Sequence, residues 1–412
     1  MIRNLIRRRE RRGLRLWNVG VVLALTFVTA IAIAAGVFFA GWDLLGARGL
    51  KTQRRLDAST LFDLVKLAFG VVAGAGALVA LVVAYRRQRV DEEGALREAT
   101  RLHTERFTTA VSQLGDDQTP VRLGGVHALA GLADDAPTDL LRQTCIDVLC
   151  AYLRLPYIAE SDLPPDDAAA RRIYLAMREV RHTIIRVIRD RMSVGPEETH
   201  LSWQGHDFDF TGVVFDGGDL SGAVFSTGGT VSFRDAVFSG GAVSFDRTWF
   251  SGGTVSFDGA RFVGGTVDFT LAEFSGGRVS FLGARFSGGT VSFRRARFSG
   301  GTVGFSESEF AGGEVDFVAA VFSGGAVSFR RALFSDGAVS FRRVVISGGE
   351  VDFVGAVFSG SMVDFTHAEL SGGDVGFPDG VVGPAPIGLV PSTGQPLPPG
   401  LRLPERWLTP EP

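Results

Sequence analysis

A 12-residue period runs through the second half of the chain and limits its possible folds more than any other feature. Every twelfth residue from position 233 to position 377 is phenylalanine. We call these thirteen residues the first Phe series: Phe233, Phe245, Phe257, Phe269, Phe281, Phe293, Phe305, Phe317, Phe329, Phe341, Phe353, Phe365 and Phe377. A second series lies five residues after each of the first twelve and holds Phe except at Ile346 and Leu370. Such a period predicts a solenoid, in which each turn buries its apolar face against its neighbours.

The repeating unit Ser-Gly-Gly-x-Val-x-Phe-x-x-Ala-x-Phe predicts short strands separated by corners. Val and Phe lie two residues apart, so both point to one side of a strand, and that side must face inward. The Gly-Gly pair suits a tight corner because glycine readily adopts a positive φ. One unit per turn would leave too little room for two Phe side chains. We therefore predict two units, about 24 residues, per coil, with four large apolar side chains in each layer.

Upstream of this period, apolar residues fall five apart at Phe210, Phe215, Leu220 and Phe225. This spacing resembles the pentapeptide-repeat family, whose unit centres on a Leu or Phe beside small and polar residues. The resemblance implies a right-handed, four-sided β-helix, which we expect over residues 200–377. Residues 104–133 are similar to a segment that precedes the repeats in actinobacterial pentapeptide-repeat membrane proteins. That similarity implies no catalytic activity.

Two uncharged runs, 19–41 and 67–85, predict membrane spans. A bilayer core needs about 20 helical residues, so either run is long enough to cross. We expect transmembrane helices at 17–42 and 61–85. Seven arginines in the basic segment 1–16, and three more between positions 86 and 89, favour a two-pass protein of the cell membrane with both termini in the cytoplasm. The loop 43–60 would lie outside. A cleaved signal peptide is disfavoured, since its apolar region is normally shorter.

Gly70 and Gly74 form a G-x-x-x-G pattern in the second predicted span. This spacing lets two helices approach closely. It could pack the second span against the first or drive a homodimer, and small residues are also simply common in such helices.

Between the membrane and the solenoid, residues 86–195 carry apolar residues at helical spacing, broken at Gly115–Asp117, Asp134–Pro137 and Pro164–Pro165. We interpret this stretch as a small HEAT- or armadillo-like helical module that acts as an adaptor. The segment 378–412 holds 10 of the 16 prolines. It is either a cap on the solenoid, using Trp407, or a disordered tail.

No pattern in the chain predicts a catalytic residue, a cofactor or a metal site. His200 and His206 lie near acidic residues, but their spacing matches no metal motif. Four aspartates share one slot of the repeat, which we interpret as facing outward: Asp268, Asp316, Asp352 and Asp364. We therefore do not expect an enzyme.

Three arginine pairs occupy the two slots that follow a Phe of the first series: Arg294 and Arg295, Arg330 and Arg331, Arg342 and Arg343. They are a candidate basic stripe for acidic partners or lipid headgroups. The alternative is an ordinary solvated charged face.

The predicted fold is therefore an α+β membrane protein with two transmembrane helices, a helical module and a β-solenoid. The favoured function is a cytoplasmic scaffold that binds an unidentified protein partner. The alternative is a DNA mimic that binds a topoisomerase such as gyrase. Residues 210–380 hold 18 Asp and Glu against 12 Arg, which is only mildly acidic. With a net charge of −3, the chain shows no bias toward binding nucleic acid.

Overall fold

A computed structural model describes residues 58–164, 166–195, 200–226, 228–378, 380–391 and 395–408, and isolated positions between 28 and 43. The predicted basic segment 1–16 lies outside the described residues, and the span 17–42 and the loop 43–60 lie largely outside them. The chain forms two compact units, Met1–Thr100 and Arg101–Pro412.

One long helix, α1 (Ala58–Leu114), contains the second predicted span. Its segment Val65–Leu114 includes a stretch long and apolar enough to cross a membrane, judged by length and composition alone. This stretch is not buried within the protein. A Cβ atom placed on Gly70 or Gly74 would meet no heavy atom within 4 Å, so neither packs against a described part of the chain. The two-pass topology stays a prediction.

Three helices of the helical module follow α1: α2 (Thr119–Asp134), α3 (Asp139–Leu153) and α4 (Ala168–Met192), with a short 3₁₀ turn at Glu160–Asp162. A one-turn helix, Glu405–Leu408, lies near the C-terminus. Side-chain caps fix two of the helix starts. Thr138 accepts a hydrogen bond from the backbone N–H of Leu141, and Asp167 accepts two from the first turn of α4. Helix α2 packs against both α3 and α4. A HEAT- or armadillo-like identity for this module stays a prediction.

The solenoid consists of two parallel sheets that face each other across the core. Sheet A contains β1 (Phe208–Asp209), β4 (Val224–Phe225), β5 (Thr230–Ser232), β8 (Trp249–Ser256), β11 (Glu273–Ser280), β14 (Arg297–Phe298), β15 (Thr302–Gly304), β17 (Val321–Ser328), β19 (Val345–Asp352), β22 (Glu369–Gly376) and β23 (Leu401–Arg402). Sheet B contains β2 (Val214–Phe215), β3 (Gly218–Asp219), β6 (Val237–Phe238), β7 (Ala242–Ser244), β9 (Arg261–Phe262), β10 (Thr266–Asp268), β12 (Arg285–Phe286), β13 (Thr290–Ser292), β16 (Glu309–Asp316), β18 (Leu333–Ser340), β20 (Val357–Phe358) and β21 (Met362–Asp364).

Strand register confirms the predicted spacing of 24 residues per coil. Val267 pairs with Val243 on one side and Val291 on the other, each 24 residues away. About eight coils stack in this way. Each 12-residue unit crosses from one sheet to the other at the turn after its first Phe, so successive strand runs alternate between sheet A and sheet B. The Gly-Gly pair bends each run, as the register shifts in β8, β16, β17 and β19 show. The right-handed sense of the coil stays a prediction.

Both ends of the solenoid are covered by other parts of the chain. At the start, α3 contacts β1 and α4 contacts β3. At the end, β23 pairs with β22, and the Trp407 ring packs 5.5 Å from the Phe377 ring, measured between centroids. The indole N–H of Trp407 donates to the carbonyl of Gly383. These contacts cover strand edges that would otherwise present unpaired backbone groups.

Candidate functional site

The interior of the solenoid is filled by four columns of stacked side chains. Each residue of the first Phe series is at most 1% exposed. Within a column the rings stack with nearly parallel planes, as Phe257 and Phe281 do at a centroid distance of 4.7 Å and an interplanar angle of 6°. Across the core the rings meet edge to face, as Phe257 and Phe269 do at 5.8 Å. These geometries are favourable for aromatic pairs. Because the core is packed, any binding surface of the solenoid lies on its outside.

A β-turn follows each of the first twelve Phe residues of the first series and joins the two sheets. In the turn after Phe293, the N–H of Ala296 donates to the carbonyl of Phe293 at 3.0 Å. The third turn residue has a positive φ, which a type II turn requires. It is not glycine at nine positions: Asp235, Arg247, Leu271, Arg295, Glu307, Ala319, Arg331, Arg343 and His367. The sequence pattern did not reveal this second kind of corner, since no fixed glycine marks it.

These turns form two rows on opposite sides of the coil. Turn edge 1 consists of residues 246–247, 270–271, 294–295, 318–319, 342–343 and 366–367. Turn edge 2 consists of residues 234–235, 258–259, 282–283, 306–307, 330–331 and 354–355. Backbone hydrogen bonds link neighbouring turns within a row, for example from the N–H of Arg295 to the carbonyl of Val318.

The shared aspartate slot does not face outward, contrary to our expectation. Asp316 is 3% exposed, and the other three are half-buried. The Asp316 carboxylate accepts a hydrogen bond from the backbone N–H of Val318 at 2.7 Å. Each of the other three also accepts one from the N–H two residues further along the chain. The slot lies just before the turn, so the turn backbone folds over the carboxylate. These aspartates therefore hold turns in place.

The three arginine pairs do not form a single stripe. Arg294–Arg295 and Arg342–Arg343 lie on turn edge 1, two coils apart, whereas Arg330–Arg331 lies on turn edge 2. A coil holds two 12-residue units, so the same slot in alternate units points to opposite sides. The first arginine of each pair faces an aspartate of the next coil, as Arg294 faces Asp316 at 2.9 Å.

The two turn edges differ in charge. Turn edge 1 carries five arginines against one aspartate, a net charge of +4. Turn edge 2 carries three arginines against two aspartates and one glutamate, and is neutral. On turn edge 2, the second arginine of the pair, Arg331, has a guanidinium nitrogen 3.8 Å from a carboxylate oxygen of Glu307. Among the described residues, Arg295 and Arg343 on turn edge 1 form no ion pair within 4.0 Å.

A buried carboxylate, Asp216, joins the helical module to the first coil. One of its oxygens accepts hydrogen bonds from the hydroxyl groups of Tyr157 and Tyr174 at 2.6 and 2.7 Å. The other lies 3.5 Å from Nε2 of His182 on α4. Arg181, beneath the Tyr157 ring, donates to the backbone carbonyls of Leu153 and Val214.

This network stabilises the ionised form of Asp216. Burial alone would raise the pKa of Asp216, but the adjacent His182 ring and the hydrogen bonds from Tyr157 and Tyr174 outweigh it and lower the pKa to about 2. Burial raises the pKa of Tyr157, and its hydrogen bond to Asp216 adds to that effect. The tyrosines therefore stay protonated as donors, and the arrangement is that of a clamp between module and solenoid. Sequence reasoning missed it because its members lie up to 59 residues apart in no recognisable motif.

The histidines and cysteines occupy structural positions. The ring of His206 lies 3.2 Å from the Gln143 side-chain oxygen, and the carbonyl of His200 accepts from Arg142. Cys145 and Cys150 are both buried and free, and burial raises the pKa of Cys145 to about 11. Within the described ranges, no group of three or more His, Cys, Asp or Glu could hold a metal ion.

Comparison with known proteins gives one match. Residues 228–272 match the family model for pentapeptide repeats, with nine copies. No curated protein and no solved structure matches the chain. The family match and the 24-residue register together support a pentapeptide-repeat β-solenoid, whereas the membrane and actinobacterial parts of the resemblance stay predictions.

Proposed function

We propose that this chain is a scaffold without catalytic activity, whose β-solenoid presents its sides to a protein partner. Helix α1 would hold it at the cytoplasmic surface of a membrane. The pentapeptide-repeat solenoid supports the general proposal of a protein-interaction module. The membrane anchor, the partner and the cytoplasmic location are more specific proposals.

The observation that carries the proposal is the contrast between an invariant core and variable sides. The same turn position holds Asp, Arg, Leu, Glu, Ala and His, all with φ between 53° and 61°. Neighbouring coils therefore offer different side chains on an almost unchanged backbone. Because the helical module and the C-terminal segment cover the ends, the sides are the part of the solenoid that remains for binding.

Anchoring is supported by the continuity of α1. The helix passes without a break from its apolar stretch into the charged residues after Tyr85 and ends at Leu114, where α2 follows. At about 1.5 Å per residue, the polar part after Tyr85 extends for roughly 40 Å. We propose that the span 17–42 accompanies it, that the loop 43–60 is extracytoplasmic, and that both termini are cytoplasmic.

The DNA-mimic alternative is less well supported by the charge distribution. A mimic of DNA needs acidic surfaces, because DNA carries a dense negative charge. Turn edge 1 instead carries a net charge of +4. The four aspartates of the shared slot accept hydrogen bonds from turn backbones, and three of them, Asp316, Asp352 and Asp364, also pair with arginines.

The test is crosslinking of the tagged full-length protein in its native cells, followed by membrane extraction in mild detergent and mass spectrometry. We expect a discrete protein partner whose crosslinks map to residues 205–377. Gyrase at these residues would favour the mimic. Crosslinks only between copies of the chain would contradict the scaffold function and point to a homodimer, in which Gly70 and Gly74 would be tested first.

A further inference from the structure

We propose that turn edge 1, between Arg295 and Arg343, binds an acidic, extended segment of the partner protein. This inference rests on the proposed scaffold function and specifies which surface binds and what kind of partner it fits. It is carried by three observations: backbone strain, unpaired charge and spacing.

The first observation is that turn edge 1 retains strain that turn edge 2 partly avoids. On turn edge 2, the position with positive φ is glycine in three of six coils: Gly259, Gly283 and Gly355. On turn edge 1 it is never glycine, and three coils place an arginine there: Arg247, Arg295 and Arg343. A side chain in this backbone region costs about 1 kcal/mol or more. Strained residues are enriched at functional sites, so an arginine kept in this conformation is a candidate for a functional role.

The second observation is that two of these arginines lack an acidic neighbour. Arg247 pairs with Asp246 of its own turn at 3.0 Å. Arg295 and Arg343 are exposed, and the turns stacked beside them hold Leu271 and Ala319 rather than acids. From position 270 to 367, turn edge 1 contains no Asp or Glu. The positive charge here is available to a partner.

The third observation is the spacing of the charges. Arg295 and Arg343 are 48 residues, or two coils, apart, which is roughly 10 Å at the usual strand separation. Half-exposed Val318 and Ala319 lie on the coil between them. An extended polyproline-like chain repeats every three residues, or about 9.3 Å. Acidic side chains three residues apart would thus meet both arginines, with the intervening residues against the apolar turn.

The test compares matched glycine substitutions on the two edges. The double variant Arg295→Gly, Arg343→Gly removes both charges and relieves the strained turns, so it should fold. The control, Arg331→Gly, makes one such change on turn edge 2, where Glu307 already faces the arginine. It is compared with the single variants Arg295→Gly and Arg343→Gly as well as with the double variant. The probe is a fluorescent peptide of Glu-Pro-Pro repeats, with Gln-Pro-Pro repeats as the neutral comparison. Binding to the full-length protein in detergent is measured by anisotropy at low ionic strength.

We expect the double variant to bind the acidic peptide about five-fold or more weakly, and the control to bind within about two-fold of the unaltered protein. Salt should weaken binding by the unaltered protein. Equal loss in both variants, or no binding of the acidic peptide at low salt, would overturn the inference. So would arginine-dependent binding to vesicles of equal phosphatidylserine and phosphatidylcholine without peptide binding, which would assign the edge to a lipid surface. In each of these cases, cellular crosslinks elsewhere on residues 205–377 would leave the scaffold function intact.

Discussion

At the scale of single residues, the turn after each Phe sets which positions tolerate change. Gly283 has a φ of 64°, and a Cβ placed there would meet no heavy atom within 4 Å. Ala319 has a φ of 56° in the equivalent position on the other edge. The two positions therefore separate the cost of backbone conformation from the cost of crowding.

We expect Gly283→Ala to lower the free energy of unfolding by about 1 kcal/mol, because alanine is strained at positive φ. Ala319→Gly should raise it slightly or leave it unchanged, since relief of strain is offset by the greater freedom of glycine in the unfolded chain. Urea unfolding followed by circular dichroism measures both. A stabilising Gly283→Ala would contradict the assigned turn geometry.

The aromatic columns give a second prediction. Phe281 lies between Phe257 and Phe305, with 4.7 Å between ring centroids on either side. Phe281→Ala should destabilise the solenoid by about 3–5 kcal/mol through loss of burial and creation of a cavity. Phe322→Leu should cost less than about 2 kcal/mol, because its column already continues with Ile346. Similar losses of unfolding free energy in both variants would contradict this account, because they would show that the column containing Phe322 and Ile346 does not accommodate aliphatic side chains more easily.

The sequence alone predicted which residues lie inside the solenoid, because Val and Phe two residues apart lie on the same side of a strand and that apolar side must face inward. It did not predict the aspartate slot correctly. Whether Asp316 points outward depends on where the turn backbone folds, and the turn has no fixed glycine to mark it.

At the scale of elements, α2 is held close to the end of α1 by a glycine. A Cβ on Gly125 would lie 2.5 Å from the backbone nitrogen of Leu114, whereas one on the adjacent Gly124 would meet nothing within 4 Å. Gly125→Ala should therefore destabilise the helical module by about 1–3 kcal/mol through overpacking. Gly124→Ala should stabilise it by up to about 1 kcal/mol through helix propensity. Thermal unfolding of the two variants measures the difference, and the reverse order would contradict the close helix contact.

The Asp216 clamp makes the junction between α4 and the first coil sensitive to acid. Its pKa in the folded protein, about 2, lies below its ordinary value of 3.8. The clamp therefore contributes stability above about pH 4, roughly 2 kcal/mol, and loses it as the pH falls toward 2. We expect Asp216→Asn to be less stable than the unaltered protein at pH 7 and the gap to narrow below pH 4. A gap that is constant with pH would mean that the charge of Asp216 is not the stabilising feature.

The helices could be predicted from the sequence to within a few residues, because their apolar spacing and breaking residues are local signals. The clamp could not, because a contact between α4 and the first coil depends on how the module docks. The two-sheet arrangement was predicted in part. The 24-residue coil followed from the size of the Phe side chains, whereas the turn after the Phe residues of the first series was not predicted.

At the scale of the whole molecule, each coil contains two 12-residue units. The number of units between two residues in the same slot therefore decides whether they lie on the same turn edge. Deleting residues 305–316 removes one 12-residue unit and should move Arg343 to the edge opposite Arg295, since the core slots of all units are alike. Deleting residues 257–280 removes a whole coil outside the interval from Arg295 to Arg343, so both arginines should stay on turn edge 1, two coils apart. We expect both chains to fold, and only the shorter deletion to weaken binding of the acidic peptide. Equal binding by both would contradict the assignment of alternate units to opposite edges.

The most direct test of the scaffold function is site-specific photo-crosslinking in living cells. A photoreactive residue replaces Ala319 on turn edge 1, Ser306 on turn edge 2, or Leu140 on the exposed surface of the helical module, each in the full-length chain. The account predicts a discrete protein adduct from position 319, little from 306, and none from 140. Adducts only from position 140 would contradict it, because the partner would then bind the module and the solenoid sides would be unoccupied.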